Sequence, residues 1–187
     1  MRVISGECKG RALRAVPGQS TRPTTDKIKE SMFNIIGPYF NGGIGLDLYG
    51  GSGGLGIEAL SRGMDLFIFV DKDIKAIETI RKNIDQCNYS SKAEVYRNDS
   101  QRALKALKKR AIQFDIVFLD PPYAKQRIEK DIEMLDQFEL LTKDAQIIAE
   151  HDGSIVLPEK IGRLYKVKSE LFGKTTAISF YKFDAGR

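Results

Sequence analysis

The chain has 187 residues, which is the size of a single globular domain. Its hydrophobic share of 42% and charged share of 29% indicate a soluble globular protein, and no apolar run approaches the roughly 20 residues of a membrane span. The net charge of +5 is compatible with a nucleic-acid partner without requiring one. The first residues lack the apolar core of a secretory signal, so we expect a cytoplasmic protein.

The cysteines and the histidine limit the possible metal and nucleophile chemistry. Cys8 and Cys87 are distant in sequence and show no metal-ligand spacing, so we interpret them as free thiols in a reducing compartment. His151 has no supporting zinc or Ser-His-Asp motif, and we expect it to end a strand, with a pocket role as the alternative. We therefore expect no metal site.

The N-terminal part of the chain is basic and carries turn signals. Residues 3–13 predict a short hairpin that includes Lys9 and Arg11, and a turn follows at Pro17-Gly18. Apolar residues recur at helical spacing over 26–40 and predict one amphipathic helix. We predict that residues 1–42 form an extension and that residues 43–187 form the main domain.

Strands and helices alternate in the main body. Predicted strands lie at 44–48, 66–70, 93–97, 114–119 and 145–149, and predicted helices lie at 54–61, 74–86, 100–109 and 126–137. Such alternation is typical of an α/β fold with a mainly parallel sheet. Residues 164–169 and 175–183 predict a closing antiparallel hairpin.

A glycine-rich loop joins the first strand of the body to its helix. Gly51, Gly53 and Gly56 match the G-x-G-x-x-G spacing of dinucleotide sites, but similar loops also bind S-adenosylmethionine. Glycines let a ligand approach the backbone, and the helix N-terminus behind them favours an anionic group. The predicted cofactor residues of this loop are Asp47, Tyr49, Gly50, Gly51, Ser52 and Gly53.

Two further strand ends carry acidic residues. Asp71 and its neighbour Lys72 follow the second strand, roughly 20 residues after the glycine loop, where a carboxylate can accept both ribose hydroxyls. Asp99 and Ser100 follow the third strand, where Asp99 can accept from an adenine amino group or cap the next helix. These strand ends together predict a nucleoside pocket.

The stretch Asp120-Pro121-Pro122-Tyr123 follows the apolar run 116–119 and decides between the possible reactions. Two prolines stiffen this turn, because each fixes φ and removes a backbone donor. The Asp120 carboxylate and the Pro121 carbonyl can each accept one N–H of an exocyclic amine, and Tyr123 can stack on its ring. A plain turn with proline at its corner is the structural alternative.

An amine methyltransferase has a use for such a turn. The sulfonium methyl of S-adenosylmethionine is already a good electrophile, so catalysis is mostly in-line positioning of amine and methyl. Three alternatives stay open: a DNA adenine-N6 methyltransferase, an NAD-dependent oxidoreductase on the same loop, and a non-catalytic RNA-binding protein.

The chain resembles the bacterial 16S ribosomal RNA guanine-N2 methyltransferase family over nearly its whole length. The resemblance is carried by residues 2–6 and 9–11, the segment 22–27, residues 33–34, 55–63 and 70–72, and the proline turn. The segment Arg22-Pro23-Thr24-Thr25-Asp26-Lys27 is the most family-specific part, whereas adenine and cytosine amino-methyltransferases share the proline turn. The family usually has Phe-Ala where this chain has Tyr49-Gly50.

The resemblance implies a Rossmann-like class I methyltransferase fold with a seven-stranded, mostly parallel sheet and an antiparallel C-terminal hairpin. It implies S-adenosylmethionine as methyl donor, guanine N2 as acceptor, and 16S ribosomal RNA or the small ribosomal subunit as partner. It also implies RNA-facing roles for Lys9, Arg11, Arg22, Thr24 and Lys27. Such contacts to phosphates position a substrate without reading its sequence.

Overall fold

The computed structural model describes residues 1–18, 24–122 and 124–183, with residues 124–126 as backbone only. The predictions for Arg22 and Tyr123 lie outside the described residues. The chain divides into two compact units, Met1–Asp99 and Ser100–Arg187. The predicted functional boundary after residue 42 stays a prediction.

The first unit holds three parallel strands in the order β3-β2-β1. Its elements are α1 (Asp26–Ile36), β1 (Ile44–Asp47), α2 (Gly54–Ser61), β2 (Leu66–Asp71), α3 (Ile74–Gln86), a 3₁₀ turn (Ser90–Lys92) and β3 (Ala93–Arg97). The inner residues of β2 are all buried, as expected for a parallel strand covered on both faces. The carboxyl ends of the three strands therefore meet at one edge, where the predicted cofactor residues lie.

The second unit holds five strands in the order β4-β5-β8-β7-β6. Its elements are α4 (Ser100–Lys108), β4 (Phe114–Leu119), α5 (Ala124–Gln137), β5 (Leu141–Asp152), β6 (Lys160–Ile161), β7 (Leu164–Phe172) and β8 (Thr176–Phe183). Strands β4 and β5 are parallel, whereas β8 runs antiparallel to both β5 and β7. The predicted α/β fold with its C-terminal antiparallel hairpin is thus confirmed.

The predicted strand number of seven is wrong, because the described residues form eight strands. The additional strand is β6, which has two residues and pairs with the start of β7 through Ile161↔Leu164. Gly162 makes the connecting turn with a φ of 59°. A strand this short has no periodicity, so the sequence pattern cannot reveal it.

Two predicted elements are shorter than expected. Helix α1 ends at Ile36 instead of residue 40, because Gly37 adopts a φ of 131° and Pro38 follows it. The predicted N-terminal hairpin has a single bridge, Arg2↔Ala12. Across the described ranges, no helix is both long and apolar enough to cross a membrane.

Candidate functional site

The glycine loop turns sharply between β1 and α2. Gly50 donates from its N–H to the Val70 carbonyl at 2.8 Å, and Gly53 donates to the Gly50 carbonyl at 2.7 Å. Gly51 and Gly53 have φ values of 55° and 82°, in the left-handed region that favours glycine. Open space lies where a Cβ of Gly51 would point, so the loop leaves room for a ligand to approach the backbone there.

Asp71 connects the loop to the end of β2. Its carboxylate accepts the N–H of Gly51 at 2.9 Å with one oxygen and that of Asp73 at 2.9 Å with the other. Each oxygen keeps a second lone pair, so both can still accept a ribose hydroxyl. Asp73 caps α3 by accepting the N–H of Lys75 at 2.9 Å.

Asp47 places a second carboxylate at the same edge. It is buried at the end of β1, and its Oδ1 accepts the N–H of half-buried Tyr49 at 3.1 Å. Buried carboxylates need hydrogen-bonding or cationic partners. The loop, Asp47 and Asp71 therefore fit a ligand that carries ribose hydroxyls and a cationic group, as S-adenosylmethionine does.

The remaining predicted cofactor residues have different surroundings. Asp99 is partly exposed after β3 and donates from its N–H to the Asn98 side chain at 3.0 Å. Lys72 is exposed, and its carbonyl accepts from Arg97 at 3.2 Å. Ser100 is buried, and its hydroxyl lies 3.4 Å from an Asp131 oxygen in the second unit. Their cofactor roles stay predictions.

The proline turn lies at a pocket of about 260 Å³ in the second unit. This volume is close to the lower end of small-molecule sites, at about 300 Å³. The pocket is lined by Asp120, Pro121, Pro122, Glu150, His151, Asp152, Ile155, Thr175 and Thr176. The turn thus lies at a cavity slightly smaller than that range, at the carboxyl end of β4, and its role in binding stays a prediction.

Asp120 has an unusual electrostatic environment. Its side chain reaches solvent at the pocket, but the surrounding protein partly desolvates it and the Glu150 carboxylate repels its charge. Together these effects raise the pKa of Asp120 to about 7. The carboxylate is consequently able to exchange a proton near neutral pH, which suits a group that accepts from an amine.

His151 lies in the same pocket wall, so the alternative of a pocket position is supported. It is buried in β5, and its ring nitrogens lie 2.9 Å from the Asp152 carbonyl and 2.9 Å from the Ser179 hydroxyl. Both nitrogens already have partners, which fixes the ring as part of the wall.

Four of the five residues predicted to face RNA lie on the surface of the first unit. Lys9, Arg11 and Lys27 are exposed, and Thr24 is partly exposed.

Cys8 and Cys87 are free thiols, as predicted, with the Cys8 sulfur 3.5 Å from the Cys87 carbonyl.

Residues 1–182 match the model of the family described as Conserved hypothetical protein 95. The chain belongs to this family.

Relatives and solved structures agree with this membership. The chain is 54% identical over 182 residues to "Putative rRNA methyltransferase YlbH" of Bacillus subtilis (strain 168), with 97% of this chain and 98% of that protein covered. It is 35% identical over 185 residues to "Ribosomal RNA small subunit methyltransferase D" of Haemophilus influenzae, with 97% and 92% covered. A solved structure, "Putative methyltransferase yhhF from Escherichia coli", aligns with a TM-score of 0.81 at 28% identity, covering 100% of this chain and 99% of that one.

Sequence reasoning missed three polar residues that the structure brings to these sites. Glu150 lines the pocket beside Asp120. Asn83 is buried in α3, where its side chain donates to the Ser52 carbonyl at 2.8 Å and so supports the glycine loop. Glu58 is buried in α2 and holds the N-terminal segment. Glu58 and Asn83 are polar residues at buried helix positions, and that signal could have marked them, whereas partly exposed Glu150 carries no such signal.

Proposed function

We propose that this protein transfers a methyl group from S-adenosylmethionine to the exocyclic N2 of a guanine in 16S ribosomal RNA. The observation that carries the proposal is the pocket at the proline turn, where Asp120 and Pro121 lie at the carboxyl end of β4. The relatives named as ribosomal RNA methyltransferases support the RNA substrate. Such a substrate places the enzyme in the cytoplasm.

In this proposal the first unit binds the cofactor. Asp71 accepts the ribose hydroxyls, Asp47 faces the cationic methionine end, and the glycine loop lets the cofactor approach the N-terminus of α2. Tyr49, Lys72 and Asp99 complete the proposed set in this unit, and Ser100 is the next residue in the chain. When bound, S-adenosylmethionine supplies an electrophilic methyl group.

The second unit holds the acceptor amine. Asp120 and the Pro121 carbonyl each accept one N–H of guanine N2, which turns the nitrogen lone pair out of conjugation with the ring. S-adenosylmethionine would supply the methyl group that this nitrogen accepts, and Asp120 or water would take the surplus amine proton. Pro122 keeps the turn stiff, and Tyr123 is proposed to stack on the base. A loop guanine can be splayed out to reach such a pocket.

Asp120→Ala tests the acceptor role. We expect methylation of 16S ribosomal RNA to fall at least about 100-fold, because a preorganised acceptor is lost. Binding of S-adenosylhomocysteine, measured by calorimetry, should remain close to that of the wild type. Asp115→Ala is the matched control, since Asp115 lies near the start of the same strand and its carboxylate bonds to Thr142. Full activity in Asp120→Ala would refute the role.

Two measurements test the reaction itself. Mass mapping of ribosomal RNA from cells with and without the gene should show one N2-methylguanosine that depends on it. Thermal unfolding should shift upward with S-adenosylhomocysteine, by about 2.7 kcal/mol of stability at 100 times its Kd, and should not shift with NAD. Methylation of DNA alone, or stabilisation by NAD alone, would reverse the proposal.

A further inference from the structure

The carboxylates of Asp120 and Glu150 are neighbours across two parallel strands. Leu119, the last residue of β4, pairs with Ala149 of β5 in parallel register, so Asp120 directly follows β4 and Glu150 is the next residue of β5. Adjacent strands lie about 4.8 Å apart, and partners in register project to the same face of the sheet. Both residues line the pocket of about 260 Å³. The pocket wall therefore carries two acidic side chains side by side.

The strands hold Glu150 firmly in this position. Glu150 belongs to β5, which pairs with β4 on one side and, through Glu150↔Ile178, with β8 on the other. It is only partly exposed, whereas most surface glutamates are well solvated. Two carboxylates at close range repel each other, so a ligand that supplies hydrogen-bond donors to both suits this wall of the pocket.

Guanine supplies donors in the required pattern. Its Watson–Crick edge presents N1–H beside the N2 amino group, whereas adenine presents an unprotonated N1 that is itself an acceptor. A carboxylate has no donor when ionised and so repels an acceptor nitrogen. Sites built to hydrogen-bond a substrate reject analogues that leave the site's polar groups unpaired.

We infer that Glu150 is a specificity residue that accepts the N1–H of guanine while Asp120 and Pro121 hold the N2 amine. The inference rests on the proposed function and extends it, because it assigns the choice of guanine over adenine-like bases to a residue outside the proline turn. Among the described residues that line the pocket, the other charged or titratable groups are His151 and Asp152, which follow Glu150 on β5.

The discriminating substrate is 2,6-diaminopurine, which keeps the 2-amino group and has an acceptor at N1. We would prepare 16S transcripts with guanine, 2,6-diaminopurine or inosine at the mapped position and measure kcat/KM for each. The wild-type enzyme should prefer guanine over 2,6-diaminopurine by at least about 100-fold, and inosine, without the 2-amino group, should give no product.

Glu150→Gln is the test variant, because its amide can donate to an acceptor N1. We expect its preference for guanine over 2,6-diaminopurine to fall at least tenfold, mostly through lost guanine activity. Glu150→Ala, which adds no donor, should lose guanine activity without gaining any on 2,6-diaminopurine. Glu133→Gln, on an exposed position of α5, is the matched control and should leave both values unchanged.

The outcomes separate this inference from the proposed function. An unchanged guanine preference in Glu150→Gln, with wild-type binding of S-adenosylhomocysteine to show folding, would overturn the role of Glu150 alone. If Glu150→Gln does not fold, an unchanged preference in Glu150→Ala overturns it in the same way. Absence of guanine methylation by the wild-type enzyme would instead overturn the proposed function.

Discussion

At the residue scale, Asp120 combines a functional position with an unfavourable charge. Partial desolvation is the main cause of its raised pKa, and the Glu150 carboxylate adds to it. At neutral pH a raised pKa leaves a substantial fraction of the residue protonated, unable to accept with both oxygens. Functional sites commonly contain groups with such perturbed pKa values. The unfavourable ionisation of Asp120 is therefore consistent with a ligand that binds the ionised form.

The raised pKa predicts the pH dependence of the reaction. In the proposed reaction the ionised form of Asp120 accepts the amine, so kcat/KM for RNA at saturating cofactor should rise with pH through about 7 and then level off. Glu150→Gln removes the like charge, so the rising part of the pH profile, which we call the acidic limb, should move to lower pH. Desolvation should still keep the pKa of Asp120 above the usual aspartate range. Profiles of kcat/KM from pH 5 to 9 would measure the acidic limb of the wild-type enzyme and that of Glu150→Gln.

The neighbouring groups allow this assignment to be checked. Hydrogen bonds from Ser154 lower the pKa of Asp152, so Asp152 does not titrate near neutral pH. His151→Gln should leave the limb in place if Asp120 is responsible, because the histidine ring bonds to Ser179 and the Asp152 carbonyl instead. A limb that disappears in His151→Gln would assign the titration to the histidine.

At the element scale, α2 links the glycine loop to the N-terminal segment. Glu58 accepts the N–H groups of Ile4 and Ser5 at 2.9 and 3.0 Å. It also pairs with buried Arg62 at 2.8 Å and with buried Lys29 at 3.4 Å. Burial lowers the pKa of Lys29, and the Glu58 charge opposes that effect. One carboxylate thus orients the segment that carries Lys9 and Arg11.

Glu58→Gln should destabilise the protein by about 3–5 kcal/mol, because it leaves two buried cations without their counter-charge. Denaturant unfolding followed by circular dichroism would measure the loss. Glu7→Gln is the matched control in the same region, since its ion pair with Lys92 is exposed and should contribute at most about 1 kcal/mol. Equal stability of the two variants would contradict a structural role for the buried cluster.

At the scale of the whole molecule, the net charge of +5 contributes to RNA binding only if the cations face the RNA. Lys9, Arg11 and Lys27 are exposed on the first unit, and a second set of exposed cations lies on α4. The first set carries the proposed phosphate contacts. The second set, Lys105, Lys108, Lys109 and Arg110, lies at and just beyond the C-terminal end of α4, and we interpret it as a solvated face, because cations are favoured there.

Salt dependence of RNA binding distinguishes the two sets. Each phosphate contact to single-stranded RNA contributes about 0.7 to the slope of log K against log salt. Alanine at Lys9, Arg11 and Lys27 together should therefore reduce the slope by about 2. The control is alanine at Lys105, Lys108 and Lys109, which should leave the slope unchanged. A larger effect of the control set would move the RNA surface to α4.

The elements with strong periodicity were predictable from the sequence. Helices α2 and α3 coincide with their predicted ranges, and β3 and β4 do so as well, because side-chain spacing within a few turns or pleats is enough to define them. The candidate turn at Asp120 and the glycine loop were also evident, since proline and glycine impose backbone geometry locally. The two-residue strand β6 was not, because it forms only by pairing with β7.

What the sequence by itself determined is the order of elements, the fold class and the acidic or glycine-rich character of each strand end. What only the tertiary structure decided is which distant side chains meet. The register Leu119↔Ala149 sets Glu150 beside Asp120, and the fold of the N-terminal segment brings Ile4 and Ser5 to Glu58. Residue spacing reports local periodicity, whereas register depends on pairing between segments far apart in the chain.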